Sequence, residues 1–135
     1  MKELSIEAVV ENVYTVTDFI DTELEKDGCP QKTQFQIEVA VDELFVNISS
    51  YAYSPGKGMA VIRYESMTDP GGACITFIDS GRPFNPLEQE EPDITLPASE
   101  RIPGGLGVFL ARKLVDDVSY EYRDGQNILS IKKYF

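Results

Sequence analysis

A chain of 135 residues is the size of one ordinary domain, and with 42% apolar and 26% charged residues it can bury a real core. The charge is lopsided: 12 Lys and Arg stand against 23 Asp and Glu, a net of −11. Binding to nucleic acid or an anionic membrane needs clustered cations, so neither is an expected partner.

Histidine is absent, which excludes Ser-His-Asp and Cys-His nucleophile pairs, His-ligated zinc and a phospho-accepting histidine within these residues. Cys29 and Cys74 are too few for a zinc site or a disulfide scaffold and read as reduced. The start, Met1-Lys2-Glu3, has no apolar leader, and no 18-residue apolar run follows. A cytoplasmic single domain over residues 1–135 is expected.

Residues 2–7 fit a short strand. From Glu7 to about Lys26, Val9, Val13, Val16, Ile20 and Leu24 have the spacing of an amphipathic helix, ended by Asp27-Gly28. A second helix is predicted from about Lys32 to Tyr53, stopped by Ser54-Pro55-Gly56. Residues 59–66 and 73–79 then read as strands around the turn Asp69-Pro70-Gly71-Gly72. Residues 80–105 carry five of the eight prolines and several acids, the composition of a functional lid or a disordered segment. A short helix fits Leu106–Val115, and strands 117–123 and 127–133 flank the hairpin signal Asp124-Gly125. This order predicts an α+β sandwich, a mostly antiparallel sheet with helices over one face.

Three places could carry chemistry. On the second helix, a spacing of about 100° per residue makes Ile37, Val41, Leu44, Ile48 and Ala52 the core stripe, with Glu38, Asp42 and Ser49 facing solvent. Glu43 and Asn47 point in a third direction among Val39, Ala40 and Ser50. An Asn carbonyl suits Mg²⁺, which takes one or two protein oxygens and completes its shell with phosphates and water. A neighbouring Glu suits a general base in phosphoryl transfer. A surface Glu with a capping Asn explains the pair equally well.

The second place is Asp79-Ser80-Gly81-Arg82-Pro83-Phe84, directly after a buried strand. Asp79 could accept the exocyclic amino hydrogens of adenine, with Gly81 allowing close approach to the base. An Asx turn is the plainer alternative. The third is Gly104-Gly105-Leu106-Gly107 at a helix start, where backbone N–H groups can cradle phosphate. It matches neither familiar glycine-rich phosphate motif, and a flexible junction accounts for it too.

In this order the segments Glu38-Val-Ala-Val-Asp-Glu-Leu-Phe-Val-Asn47, Asp79-Ser-Gly-Arg-Pro-Phe-Asn-Pro86 and Gly104-Gly-Leu-Gly-Val-Phe-Leu110 resemble the GHKL ATPase superfamily and its Bergerat ATP-binding fold. Within it, the likeness is to the small anti-sigma-factor serine kinases of bacterial partner switching, and it runs over essentially the whole chain. The resemblance implies a two-layer α/β sandwich with a mostly antiparallel mixed sheet, and ATP with Mg²⁺ as ligands. It implies that Asn47 binds the metal, Glu43 is the base, Asp79 accepts from adenine with Gly81 beside it, and Gly105 and Gly107 face the phosphates. It further implies a γ-phosphate contact for Arg101 and an adenine-side hydroxyl at Ser130.

The implied activity is phosphorylation of a serine on an anti-anti-sigma partner with a STAS domain, with a sigma factor held in the free state. Relatives often dimerise. A non-catalytic, ATP-gated protein-binding module is the alternative. Two departures stand out: Tyr51 occupies a position where relatives often carry His, and Pro83 replaces the second glycine of Asp-x-Gly-x-Gly.

Overall fold

A computed structural model describes residues 1–88 and 105–135 of the chain. The elements run β1 (Lys2–Glu7), α1 (Val13–Lys26), α2 (Gln31–Tyr51), β2 (Met59–Met67), β3 (Gly72–Asp79), α3 (Gly105–Leu114), β4 (Asp117–Arg123) and β5 (Gln126–Tyr134), with short 3₁₀ turns at Val10–Asn12 and Pro86–Glu88. Five strands form one sheet in the order β1-β2-β3-β5-β4, and all four pairings are antiparallel.

Alternation along the strands separates the two faces of the sheet. Ala60, Ile62 and Tyr64 of β2 share a face with Ile75 and Phe77 of β3 and with Leu129 and Ile131 of β5, and all are buried. They join Val16, Ile20 and Leu24 of α1 and Ile37, Val41, Leu44, Phe45 and Ile48 of α2 in one core. The helices therefore cover that face. Asp124 and Gly125 both take positive φ, as the tight two-residue turn between β4 and β5 requires.

Helix α1 begins six residues later than its apolar spacing suggests. Glu7 is still paired with Met59, and the Ala8 amide donates to the Gly58 carbonyl at 2.8 Å, so the chain stays in the sheet past Glu7. Asn12 then ties the corner back, its Nδ2 donating to the Glu7 carbonyl at 2.9 Å. At the other end, Gly28 has φ +72°, and the Cys29 amide reaches back to the Leu24 carbonyl at 3.0 Å, a glycine-terminated helix stop. Asp27 accepts from Tyr64 Oη at 2.7 Å and Ser66 Oγ at 2.6 Å, pinning this end to β2. Burial, and then the neighbouring Asp27 carboxylate, push the Tyr64 hydroxyl above its ordinary range.

The expected solvent face of α2 is partly covered. Thr17 of α1 donates to Asp42 Oδ1, Glu38 lies beside Asp21, and the Ser49 hydroxyl is buried without a partner among the described residues. Helical spacing distinguishes faces but does not say which of them a second helix with its own polar groups will cover. Ala52, assigned to the core stripe, is only half-buried. Among the described residues no helix is long and apolar enough to cross a membrane.

Candidate functional site

Where β3 ends beside the start of β5, the sheet buries polarity instead of hydrocarbon. Asp79 and Asn127 are the two buried polar or charged residues among those described, and they are direct partners in the β3–β5 register. Asn127 Nδ2 donates to Asp79 Oδ1 at 2.9 Å and to the Arg82 carbonyl at 2.8 Å. Asn127 Oδ1 accepts from the Phe84 amide at 3.1 Å and from the Tyr120 hydroxyl. The Gly81 amide also donates to Asp79 Oδ1, at 2.9 Å. Among the described residues, both donors to Asp79 thus sit on one carboxylate oxygen.

The loop after Asp79 closes onto the C-terminus of α2. Its last carbonyls lack helical donors, and the loop supplies them: Arg82 N to Ala52 O at 2.9 Å and Arg82 Nη2 to Tyr51 O at 3.0 Å. Ser80 N donates to Tyr53 Oη at 2.7 Å. Gly81 is needed here because a Cβ would collide with the carbonyl group of Ala52. The crowding that demands glycine thus comes from the helix end, and Gly81 does not line the cleft beside it.

That cleft, a narrow one of about 40 Å³, runs between α2 and the sheet. Leu44, Ile48, Ala52, Phe84 and Leu129 give it apolar walls, and Asp79 stands in its lining. A second hollow of about 130 Å³ lies between α2 and the start of α3, lined by Glu43, Val46, Asn47, Ser50, Tyr51, Gly107 and Val108. Asn47 and Tyr51 line both, so the two are neighbours. An apolar end with one carboxylate and a polar end at a helix start suit a ligand with a flat ring and an anionic tail.

Of the residues singled out from the sequence, Glu43, Asn47, Asp79 and Gly107 line the two hollows. Glu43 and Asn47 lie one turn apart on α2, and the Glu43 carboxylate sits where a Cβ on Gly107 would be. Gly105 is the first residue of α3. Arg101 lies outside the described residues, as do Gly104 and most of the proline-rich segment. Ser130 is a correction. It pairs with Thr76 and Ser119 on the opposite face of the sheet, its hydroxyl 2.9 Å from Thr76 Oγ1, away from the cleft. The β5 residue that meets Asp79 is Asn127, three positions earlier and in the other phase of the strand. Counting in twos from Leu129 and Ile131 would have found it.

The Asn47 carboxamide has no protein partner among the described residues, although it lines both hollows. Nor, among those residues, does any group of three or more Asp, Glu, Cys or His form a metal cage. With one carboxamide oxygen and no such cage, the residues present would suit only a cation that brings most of its own oxygens with it.

An antiparallel sheet covered on one face by helices, with a cleft between helix and sheet, is a fold this chain shares with ATPase domains. Residues 6–133 match the histidine kinase-like ATPase domain family, and the chain belongs to it. The serine/threonine-protein kinase BtrW of Bordetella bronchiseptica is 27% identical over 109 residues, covering 81% of this chain and 76% of that protein. The serine-protein kinase RsbW of Bacillus thuringiensis is 27% identical over 103 residues, covering 71% of this chain and 61% of that protein. Among solved structures, the RsbU and RsbW domains of a Mycobacterium tuberculosis protein superpose with a TM-score of 0.67 at 18% identity, over 98% of this chain and 32% of that one. The histidine kinase domain of a blue-light-activated kinase from Erythrobacter litoralis gives 0.58 at 18% identity, over 92% and 63%. These two similarities concern the fold.

Proposed function

We propose that this chain is an ATP-dependent protein-serine kinase of the anti-sigma type, phosphorylating a serine on a STAS-domain anti-anti-sigma partner and holding a sigma factor when that partner is absent. The observation that carries this reading is the placement of Glu43 and Asn47 on one side of α2, against Gly107 at the start of α3 and opening toward Asp79. The names of the BtrW and RsbW relatives support the choice of serine as acceptor.

Each residue then has a task. Asp79 accepts a hydrogen bond from the adenine amino group, and the apolar walls hold the ring. Asn47 supplies one carboxamide oxygen to Mg²⁺, which when bound offsets the charge of the triphosphate. The first turn of α3 offers its N–H groups to phosphate oxygens. Glu43 takes the proton from the attacking serine hydroxyl as its oxygen bonds to the γ-phosphorus, and the bond from that phosphorus to the β–γ bridging oxygen breaks, with ADP as the leaving group. Two groups on consecutive turns of one helix keep base and metal ligand at a fixed spacing.

Purified chain, Mg-ATP and the cognate partner should yield phosphoserine. Glu43→Gln should cut transfer about a hundredfold or more while ATP affinity stays close to wild type. Undiminished transfer by Glu43→Gln would remove the base from this scheme. A second reading, ATP binding that only gates a protein surface, draws support from Tyr51, which stands where the two hollows meet. Labelled ATP separates the two: transferred phosphate favours the kinase, and a nucleotide-dependent complex without transfer favours the gate.

A further inference from the structure

We propose that Asn127 is the positioning residue that makes this cleft select adenine over guanine, by occupying one oxygen of Asp79 and leaving a single acceptor for the base. The inference rests on the nucleotide reading above and concerns how the choice of base is made.

Asn127 cannot read the base itself. A carboxamide has two N–H donors and two acceptor lone pairs. Here the donors go to Asp79 Oδ1 and the Arg82 carbonyl, and the acceptor takes the Phe84 amide and the Tyr120 hydroxyl. Turning the amide over would set its oxygen against two acceptors, so the orientation follows from the network. Every bonding position is used within the protein. Asn127 therefore acts through Asp79.

Its effect there is geometric. Asp79 Oδ1 receives both Asn127 Nδ2 and the Gly81 amide, each at 2.9 Å. Among the described residues nothing donates to Oδ2, although Asp79 lines the cleft. The hydrogen-bonding edge of adenine carries one amino donor beside a ring acceptor, which one oxygen can serve. Guanine carries a carbonyl oxygen where adenine has its amino group, so it can meet a carboxylate only in a shifted pose, in which its ring N–H and its amino group are two parallel donors that match both oxygens of a free carboxylate. With Oδ1 committed, bidentate reception of guanine is blocked, and the unpaired guanine donor is left facing apolar walls. Asn127 is thus a specificity device built from a strand residue that touches no ligand.

The test is the ratio of Kd values for Mg-ATP and Mg-GTP, measured by calorimetry on wild type and Asn127→Ala. Removing the amide leaves Oδ1 with the Gly81 donor alone and one open acceptor position, which should weaken ATP and improve GTP relative to it, moving the ratio about tenfold or more toward GTP. A purely structural role would weaken both nucleotides alike, and a ratio within about twofold of wild type overturns the inference. Should Asn127→Ala fail to fold, the wild-type protein gives the answer by nitrogen-15 spectroscopy. The Asn127 side-chain hydrogens should exchange slowly both free and with ATP bound. Exchange as fast as that of exposed asparagines overturns the proposal. A wild-type chain that binds neither nucleotide overturns the ATP reading and this inference together. Wild-type ATP binding with an unmoved ratio overturns this inference alone.

Discussion

The Glu43 carboxylate occupies the space that a methyl group on Gly107 would need. Position 107 therefore has two reasons to be glycine: α3 must open close to α2, and the carboxylate must stay where it is. The crowded atom is the far end of a flexible side chain, so a Cβ would displace the carboxylate before it disturbed the backbone.

Gly107→Ala should leave the fold intact and even favour the helix, by up to ~1 kcal/mol of propensity. Phosphoryl transfer should fall about tenfold or more, because the proposed base is moved from its place. A thermal melt alongside phosphoserine formation checks both. Unchanged transfer in a folded variant would mean that Glu43 does not need its present position.

Asn47→Ala should weaken only the part of ATP binding that depends on magnesium, by about tenfold or more, and leave binding in EDTA unchanged. Titration with and without the metal separates the two contributions. An equal loss in both conditions would show that Asn47 touches the nucleotide or shapes the cleft and does not serve the ion.

Gly81→Ala tests a different kind of crowding. Its Cβ would strike the Ala52 carbonyl group, which is backbone at the end of α2 and cannot swing aside. The Arg82 N to Ala52 O bond at 2.9 Å would have to lengthen. A cost of ~1–3 kcal/mol is expected, seen as a lower melting temperature. Wild-type stability would mean that the loop and helix end separate without loss.

Much of this arrangement could be read before any coordinates, and the failures have a common form. Ile37, Val41, Leu44 and Ile48 repeat at helical spacing and are buried, because a repeating pattern reports on the element that contains it. Glu43 and Asn47 were separable from the core stripe for the same reason. Ser130 was not legible: a resemblance in motif pointed to a hydroxyl, but the two-residue period of β5 turns Ser130 outward and Asn127 inward. Likewise Glu38 and Asp42 read as a wet face, because nothing in α2 itself shows that Thr17 and Asp21 of α1 would come to lie against them. Val9 continued the apolar period of α1, yet the backbone hydrogen bond from Ala8 to Gly58 keeps the chain in the sheet just before it. Local patterns fix an element and its faces; the partner of each face is a tertiary fact.

The covered carboxylates make stability depend on pH with a definite sign. Burial first, and then the adjacent Glu38, push the Asp21 carboxyl up from its ordinary 3.8 to about 6. Its Oδ1 is buried with no hydrogen-bond partner among the described residues. Gln34 of α2 opposes the shift and Asp18 of α1 adds to it, while Asp42 is itself raised by burial and by Asp21. For an acid whose folded value lies above the unfolded one, the folded state holds more protons between the two. The stability that protonated Asp21 contributes is therefore complete below about pH 4 and lost as the pH rises through about 6. At neutral pH the ionised group instead costs stability beside Glu38. Asp21→Asn should thus raise stability near pH 8 by about 1 kcal/mol, after allowance for solvent screening. The gain should shrink toward zero near pH 4, since the protonated carboxyl and the amide are then both neutral donors. Urea melts of wild type and variant across that range, read as a difference so that other carboxylates cancel, measure it. A difference that stays flat with pH, or a variant less stable at pH 8, would show that Asp21 and Glu38 do not share a site between the helices.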